Sequence, residues 1–193
     1  EDFLLFYAIG PKYYKAENNS HINPYSDVCY YYIEIGSENG LRMSAANQPS
    51  GNPSTSFTTF HDYKFFEKDE YNIGQIGRRW FGHRFYFENT RSFNFDFPNL
   101  ITDSPLKLKV YVAASAESNT NMEIKVNNSD VSNLSLASVE YGILGTEAVF
   151  NGDIGSSSDA VTIDLFYNNN GNPSARAYLD YISLEAERAI KPA

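Results

Sequence analysis

The spacing of apolar side chains along the chain predicts β-strands. In residues 106–114 (LKLKVYVAA) apolar side chains occupy every second position, and Lys107 and Lys109 lie between them. The same alternation returns in residues 122–126 and 161–165. A period of two places one face of a strand in a core and the other in water. We therefore expect ten side chains to be buried: Leu106, Leu108, Val110, Val112, Met122, Ile124, Val126, Val161, Ile163 and Leu165.

Less regular apolar runs supply further strand candidates. They are rich in aromatic and β-branched residues, which favour pleated, half-buried positions. These candidates are residues 3–9, 28–35, 56–66, 80–87, 93–97, 147–150 and 177–186. A continuous apolar run such as VCYYYIEI at 28–35 is typical of a central strand that is covered on both faces.

Turn residues and short connections predict how some strands pair. The polar connection SAESNTN predicts that the strands at 106–114 and 122–126 form a hairpin. The dipeptide Asn39-Gly40 predicts a second hairpin, which joins the strand at 28–35 to one at 41–45.

The predicted elements define a fold class. One short helix is expected at 68–76 (KDEYNIGQI), with Gly77 at its C-terminal end. The remaining elements are strands without helices between them, which indicates antiparallel pairing. Because the connections are uneven, a jelly roll is favoured over an immunoglobulin-type sandwich. We expect residues 1–193 to form a single all-β domain, an antiparallel jelly-roll-like β-sandwich with one short helix.

Length and charge exclude several classes of protein. The chain has 193 residues, which suits one domain, and its formal net charge of −9 disfavours nucleic acid as a partner. A single cysteine, Cys29, excludes an internal disulfide. No apolar run approaches the roughly 20 residues of a membrane-spanning helix. The opening EDFLLFYAIG lacks a signal-peptide pattern, so we expect a piece excised from a larger mature chain.

Candidate catalytic residues are few. Cys29 lies among aromatic residues of a predicted strand, so we expect a small, buried and unreactive side chain. His21, His61 and His83 lie on different segments and outside any catalytic motif. We therefore predict that this chain is not an enzyme by itself.

Acidic residues offer two further kinds of site. Oxygen ligands for a structural calcium are available at Asp153, Asp159, Asp164 and Asp180, but their spacing matches no calcium loop, so no cofactor is predicted. Glycoside hydrolysis needs two carboxyl groups across a cleft, and no sequence pattern places such a pair. The candidates by residue type are Glu34, Glu38, Glu67, Asp69, Glu70 and Glu88.

The densest group of candidate binding residues is GRRWFGHRF at 77–85. The glycines on either side of Trp80 and Phe81 permit a sharp turn and close packing, so we expect both aromatic residues to be buried anchors. Arg78 and Arg79 are candidates for pairing with carboxylates of a neighbouring domain. The alternative is that they are surface residues that contribute to solubility.

A second set of binding candidates consists of aromatic side chains that could stack on sugar rings. The alternative for each is a place in the core of the sandwich. They are Tyr13, Tyr14, Tyr25 and Trp80.

Four stretches of the sequence, in order, carry a resemblance to a known family. They are DFLLFYAIGP with His21 and NPYSDVCYYYIEIG (2–36), TSFTTFHDYKFFEKDEYN (55–72), GRRWFG with FDFPNL (77–100), and YLDYISLEAER (178–188). Together they resemble the non-catalytic β-domain that precedes the peptidase domain in PorU-like type IX secretion sortases. These sortases are gingipain-type cysteine peptidases of Bacteroidetes.

The resemblance implies an accessory or docking domain of a cell-surface cysteine peptidase. Its catalytic His and Cys would lie in a downstream caspase-like α/β domain, expected after residue 193, and Cys29 and His21 match neither. The implied location is extracytoplasmic, at the outer-membrane surface or secreted. The implied partners are that downstream domain, and outer-membrane secretion or attachment proteins or a glycan.

The alternative hypothesis is a carbohydrate-binding jelly-roll module. The hypothesis of a docking domain predicts exposed apolar or charged patches where the peptidase domain binds. Sugar binding predicts a row of exposed aromatic side chains on one sheet face or loop edge.

Overall fold

The computed structural model describes residues 5–15, 20–23, 25–38, 40, 43–45, 47, 50–52 and 55–191. The described chain folds into antiparallel β-strands that form a jelly-roll-like sandwich. The strands are β1 (Lys12–Lys15), β2 (Ser20–Ile22), β3 (Thr59–Glu67), β4 (Gly82–Phe85), β5 (Thr90–Asp96), β6 (Leu106–Ser115), β7 (Thr120–Val126), β8 (Ser129–Leu136), β9 (Thr146–Ile154), β10 (Ala160–Asn168) and β11 (Arg176–Ala189).

Two sheets form the sandwich. The smaller sheet has four strands in the order β5-β10-β7-β8, and the larger has five, in the order β3-β11-β6-β9 with β4 also paired to β11. Strands β1 and β2 form a separate two-stranded sheet. No helix occurs among the described residues, and so none there could cross a membrane.

The core between the sheets confirms the alternating pattern of the sequence. All ten side chains that the alternation predicts to be buried are at most 4% exposed. Phenylalanines at 85, 93, 95 and 97 complete this core with further residues of β11. Burying a side chain of this size stabilises the fold by about 1.5–3 kcal/mol.

Strand β11 is the central element of the larger sheet. It pairs with β3 and β4 along one edge and with β6 along the other. The register against β6 shifts between Leu179, which pairs with Val112, and Tyr181, which pairs with Tyr111. Asp180 is therefore the extra residue of a β-bulge, a feature that redirects a side chain.

The predicted hairpin between 106–114 and 122–126 is wrong. Strand β6 pairs with β11 and β9, whereas β7 pairs with β10 and β8 in the other sheet. Both strands direct their apolar faces into the same core, but from opposite sides. A short polar connection is compatible with a hairpin and with a crossing between sheets, so the connection alone did not decide between them.

The predicted helix at 68–76 is also wrong. Tyr71 forms an isolated β-bridge with Phe81, so the segment folds back on itself. The Asn72 side chain accepts a hydrogen bond from the Ile76 backbone N–H (3.1 Å) and donates one to the Arg79 carbonyl (3.1 Å). An asparagine side chain that bonds nearby backbone groups in this way replaces the bonds of a helix.

The N-terminal predictions are not confirmed either. Residues 5–9 and 28–35 are described, but they form no strand and are exposed. The predicted Asn39-Gly40 turn lies outside the described residues, because position 39 is not among them. Conversely, β1, β2 and β8 were not predicted, since their short or polar sequences lack a clear apolar alternation.

Candidate functional site

The larger sheet buries polar side chains on the face that is turned away from the core. Strand β3 directs Glu67 to this face, and the bulge of β11 directs Asp180 there. Strand β2 and the segment 68–81 cover the face. Two polar clusters result, one around His21 and Glu67 and the other around Arg79 and Asp180.

The first cluster joins β2 to β3 through a buried pair. The side chains of His21 and Glu67 are 0% and 1% exposed. Glu67 Oε2 accepts hydrogen bonds from the His21 backbone N–H (2.7 Å) and from His21 Nδ1 (2.6 Å). Glu67 Oε1 accepts a bond from the Ser20 hydroxyl (2.7 Å). These bonds to a buried carboxylate fix β2 on the outer face of the sheet.

Aromatic rings surround the imidazole of His21. It stacks on Phe65, with ring centres 4.2 Å apart, and meets Tyr181 edge-on at 4.8 Å. Its Nε2 lies 2.6 Å from the Tyr63 hydroxyl oxygen. The order carboxylate, imidazole, hydroxyl is that of a catalytic relay. Because His21 has no exposed surface, however, we assign the cluster a structural role.

The second cluster is centred on one guanidinium group. Arg79 Nη2 lies 2.5 Å from Asp180 Oδ2, and Arg79 Nε lies 4.0 Å from Glu147 Oε1. The guanidinium carbon is 4.4 Å from the centre of the Tyr111 ring, a cation–π contact. The Tyr111 hydroxyl donates a hydrogen bond to Glu147.

Burial shifts the pKa values of this region. Burial, with smaller contributions from Glu67, Asp69 and Glu147, raises the pKa of Asp180 to about 8 against the opposing effect of Arg79. Burial and the charge of Glu67 raise the pKa of Asp69 to about 6. Burial and the bond to Glu147 raise the pKa of Tyr111 to about 12. Near this guanidinium group, the acidic side chains that burial removes from water thus hold their protons more tightly than exposed ones.

The residues of 77–85 separate into anchored and exposed ones. Phe81 is 3% exposed and packs against Ala113 and Tyr178, whereas Trp80 is 38% exposed. The prediction that Trp80 is a buried anchor is therefore wrong, and Phe81 is the anchor. The glycine at 82 is required here, because a Cβ would lie 2.8 Å from the Lys68 Cβ and 2.9 Å from its carbonyl oxygen.

The other candidate binding residues do not gather in one place. Arg79 contributes to the covered cluster, while Arg78 is exposed beside it. Tyr25 is 76% exposed in a different segment. The side chains of Tyr13 and Tyr14 lie outside what the structure describes.

Cys29 is exposed, so the prediction of a buried thiol is wrong. The physical reason is that residues 28–35, whose composition suggested a core strand, do not enter the core of this sandwich. No hydrogen bond or ion pair joins Cys29 to a described residue, so none of those residues activates the thiol in this way.

Three of the four aspartates considered as calcium ligands form hydrogen bonds or an ion pair within the fold, and the fourth, Asp153, lines the cavity described below. Asp159 accepts hydrogen bonds from the backbone N–H groups of Asn99 (3.0 Å) and Leu100 (3.1 Å). Asp164 accepts a bond from Ser92, and Asp180 pairs with Arg79. Within the described ranges, no three His, Cys, Asp or Glu side chains are arranged to hold a metal ion.

An open cavity of about 810 Å³ lies at one end of the sandwich. Polar side chains dominate its wall, among them Asp103, Asp130, Asp153, Asn127 and Ser156. Among the described residues, no aromatic side chain lines it. The cavity can therefore offer hydrogen bonds to a hydroxyl-rich ligand, but not a stacking surface for a sugar ring.

Comparison with solved structures finds the same fold in part of a larger protein. The chain is similar to the crystal structure of dimeric latent PorU from Porphyromonas gingivalis, with a TM-score of 0.58 and 17% identity over 69% of this chain and 13% of that one. At this identity the similarity shows the fold alone. The chain spans about an eighth of the PorU chain that it matches.

Carbohydrate-binding modules give weaker matches. One is CBM36 in complex with calcium and xylotriose, with a TM-score of 0.41 and 16% identity over 66% of this chain and 99% of that one. Another is CBM35 from Cellvibrio japonicus Abf62, with a TM-score of 0.43 and 12% identity over 68% of this chain and 100% of that one. No family model and no curated protein match the chain.

Proposed function

We propose that this chain is a non-catalytic accessory β-domain of a larger cysteine peptidase that resembles PorU. The observation that carries the proposal is the similarity of the fold to part of PorU, with a TM-score of 0.58. The order of the four sequence stretches that resemble PorU-like sortases supports the same assignment. The small share of the PorU chain that is matched, 13%, fits a domain that serves a larger molecule.

Exposed apolar side chains support a docking role. They are concentrated in the N-terminal part of the described chain, where Tyr7, Tyr32 and Ile35 are 86%, 92% and 96% exposed. Soluble monomers rarely present large apolar patches without a partner. The docking hypothesis predicts such a surface.

The environment of the candidate nucleophile supports a non-catalytic role. Cys29 makes no hydrogen bond to any described residue, and His21 is buried against Glu67. A thiol nucleophile needs an adjacent base and an electropositive setting. Under the proposal, the catalytic Cys and His belong to a downstream α/β domain.

The proposal places the domain outside the cytoplasm, at the outer-membrane surface or in secreted form. The parent enzyme would act as a type IX secretion sortase of the gingipain-type peptidases of Bacteroidetes. Its first partner is the catalytic domain of its own chain. Further partners would be outer-membrane secretion or attachment proteins.

A carbohydrate-binding module is the second candidate function. The cavity lined by Asp103, Asp130 and Asp153 favours it, because hydroxyl-rich ligands bind through such polar groups. The cavity lacks the aromatic platform that sugar recognition by stacking requires. Trp80 and Tyr25 are exposed on separate segments and do not form a row.

A binding experiment separates the two functions. The domain, immobilised, is offered the remaining part of its parent protein and, separately, a set of soluble polysaccharides. Capture of the peptidase domain without glycan binding supports the accessory role. Glycan binding that is lost in Asp130→Ala and kept in Asp96→Ala, with no capture of another domain, would establish the alternative. Asp96 is an exposed aspartate on β5, outside the residues that line the cavity.

A further inference from the structure

Two exposed arginines of the larger sheet have no acidic partner within the described part of the chain. Arg84 of β4 and Arg176 of β11 form no ion pair and no side-chain hydrogen bond with a described residue. By contrast, Arg79, Arg91 and Arg188 each bind a carboxylate. Acidic residues outnumber basic ones in the sequence by 24 to 15, so carboxylates are plentiful but lie elsewhere.

The register of the sheet places these two arginines side by side. Arg84 pairs with Tyr178 across β4 and β11, and Arg176 lies two residues before Tyr178 on β11. Residues two apart on a strand share a face, and diagonal neighbours on paired strands are about 7–8 Å apart. Both arginines therefore share the outer face of the larger sheet, where Tyr178 packs against Phe81. One ligand can reach both guanidinium groups.

An aromatic ring lies against each guanidinium group. The guanidinium carbon of Arg84 is 5.3 Å from the centre of the Tyr71 ring, and that of Arg176 is 4.9 Å from the centre of the Tyr86 ring. Such cation–π contacts restrict the arginine side chains, while the N–H donors of each fork still need oxygen acceptors. The two groups are thus positioned to bind an oxyanion.

The charges of both arginines act on the ring between them. Burial raises the pKa of Tyr178, and the charges of Arg176 and Arg84 oppose that rise. No carboxylate of a described residue contributes to this shift. The net charge of −9 matters less here than the two nearby cations, because exposed charges more than about 8 Å apart are screened at physiological ionic strength. The local field therefore attracts an anion.

The surrounding rings favour a polypeptide over a glycan as the source of that anion. Tyr178 is 8% exposed, and a guanidinium group already lies over each of the half-buried rings of Tyr71 and Tyr86, so a sugar ring finds little surface on which to stack. Arginine and tyrosine are enriched where proteins bind one another. Phe87 is 90% exposed and meets Tyr86 edge-on at 4.2 Å, which adds an apolar contact of the kind that a protein interface uses.

We propose that Arg84 and Arg176 bind carboxylate side chains of an acidic polypeptide segment. The inference rests on the proposed function, under which this segment belongs to the rest of the parent protein, and it specifies one contact through which the domain docks. Each guanidinium group would form two parallel hydrogen bonds with the oxygens of an Asp or Glu carboxylate, since the fork of N–H donors matches that geometry.

Titration with a short fluorescent peptide tests the site. The probe is rich in glutamate, and its matched control carries glutamine in place of every glutamate. Fluorescence anisotropy should show binding of the glutamate peptide and none of the glutamine peptide. Arg84→Ala and Arg176→Ala should each weaken the binding by about 10-fold or more, since hydrogen bonds between charged groups are among the stronger ones.

Variants that preserve or remove charge elsewhere provide the controls. Lys191→Ala removes an exposed charge beyond the opposite end of β11, and it should leave the affinity unchanged. Replacing both arginines by lysine keeps the charges but loses the forks, so the affinity should fall. Equal affinity in the lysine variant would overturn the forked site. All of these side chains are exposed, so a nearly constant Tm should show that every variant folds.

The possible outcomes separate this inference from the proposed function. Equal capture of the peptidase domain by the unaltered protein and by the double variant Arg84→Ala/Arg176→Ala would support the accessory role and overturn the arginine site. Arginine-dependent binding of the glutamate peptide, without capture of a peptidase domain, would support the site and count against the accessory role. Arginine-dependent binding of polygalacturonate, without binding of the glutamate peptide, would overturn the polypeptide assignment and identify an acidic glycan as the ligand.

Discussion

Arg79 and Asp180 are 101 residues apart in the sequence, yet Nη2 of the first lies 2.5 Å from Oδ2 of the second. Arg79 belongs to the segment that covers the larger sheet, and Asp180 is the extra residue of the bulge in the central strand. The contact therefore ties the covering segment to the middle of the sheet. It also places a carboxylate where water is largely excluded, since the Asp180 side chain is 4% exposed.

The pKa of Asp180 predicts an unusual dependence of stability on pH. Because its pKa is raised from 3.8 to about 8, the folded chain holds this proton more tightly than the unfolded chain. The stabilising contribution is fully present below about pH 4 and is lost as the pH rises towards 8. We expect the Tm of the protein to fall between pH 5 and pH 8, and Asp180→Asn to reduce that fall.

Thermal denaturation at several pH values measures this effect. Asp96→Asn is the matched control, because Asp96 is an exposed carboxylate on the smaller sheet. As a surface substitution it should change Tm only slightly. A Tm difference between Asp180→Asn and the unaltered protein that does not vary with pH would contradict the assignment.

Removing His21 should destabilise the sandwich and release β2. His21→Ala removes a fully buried ring that packs against Phe65 and Tyr181 and bonds Glu67, and truncating a buried ring to Ala costs about 3–5 kcal/mol. For a chain of this length we expect a fall in Tm of roughly 6–20 °C. Limited proteolysis should at the same time cut near residues 16–23 more readily.

The control for His21 is a histidine with a weak, exposed partner. His61 is 67% exposed, and its Nδ1 lies 3.3 Å from Glu185. Exposed pairs contribute about 0–1 kcal/mol, so His61→Ala should change Tm by no more than about 4 °C. Equal losses of stability in the two variants would show that the buried pair has no special role.

Truncating Phe81 to alanine should destabilise the fold far more than truncating its neighbour Trp80. Phe81→Ala removes a buried ring and should cost about 3–5 kcal/mol. Trp80→Ala removes a ring that is 38% exposed, and the cost should stay near 1 kcal/mol. Urea denaturation of both variants measures the difference, and a greater loss for Trp80→Ala would refute our assignment of the anchor.

The exposure of Cys29 predicts that its thiol reacts in the folded protein. Iodoacetamide should label residues 1–193 stoichiometrically without denaturant, and Cys29→Ser should leave Tm unchanged within about 1 °C. Intact-mass spectrometry follows the labelling. Slow labelling that becomes fast only in urea would mean that the thiol is buried.

The alternation of apolar and polar residues allowed most of the sandwich strands to be predicted. It located the strands at 106–114, 122–126 and 161–165 and the burial of their apolar faces, because a period of two depends only on the local geometry of a strand. Strand β8 was missed, since its sequence SDVSNLSL is mostly polar. The pairing of the strands could not be predicted in this way, because the β6–β7 connection fits both a hairpin and a crossing between the two sheets.

The covered polar clusters could not be predicted as sites from the sequence. Glu67 and His21 were noted only by residue type, and the strand at 56–66 ended one residue short of Glu67. The pairing of Arg79 with Asp180 depends on a bulge in β11, and a bulge leaves no mark on the apolar pattern. The run at 28–35 was misread because its composition fits a core strand, while its place in that core is occupied by other strands.

The position of β11 has a consequence for biogenesis. The strand that joins β3, β4 and β6 is the last of the sandwich to be synthesised, so the larger sheet cannot close until residue 189 has left the ribosome. Until then, β3 and β6 lack the strand that lies between them. A nascent chain halted before β11 can therefore form the smaller sheet and the β6–β9 pair, but not the complete sandwich.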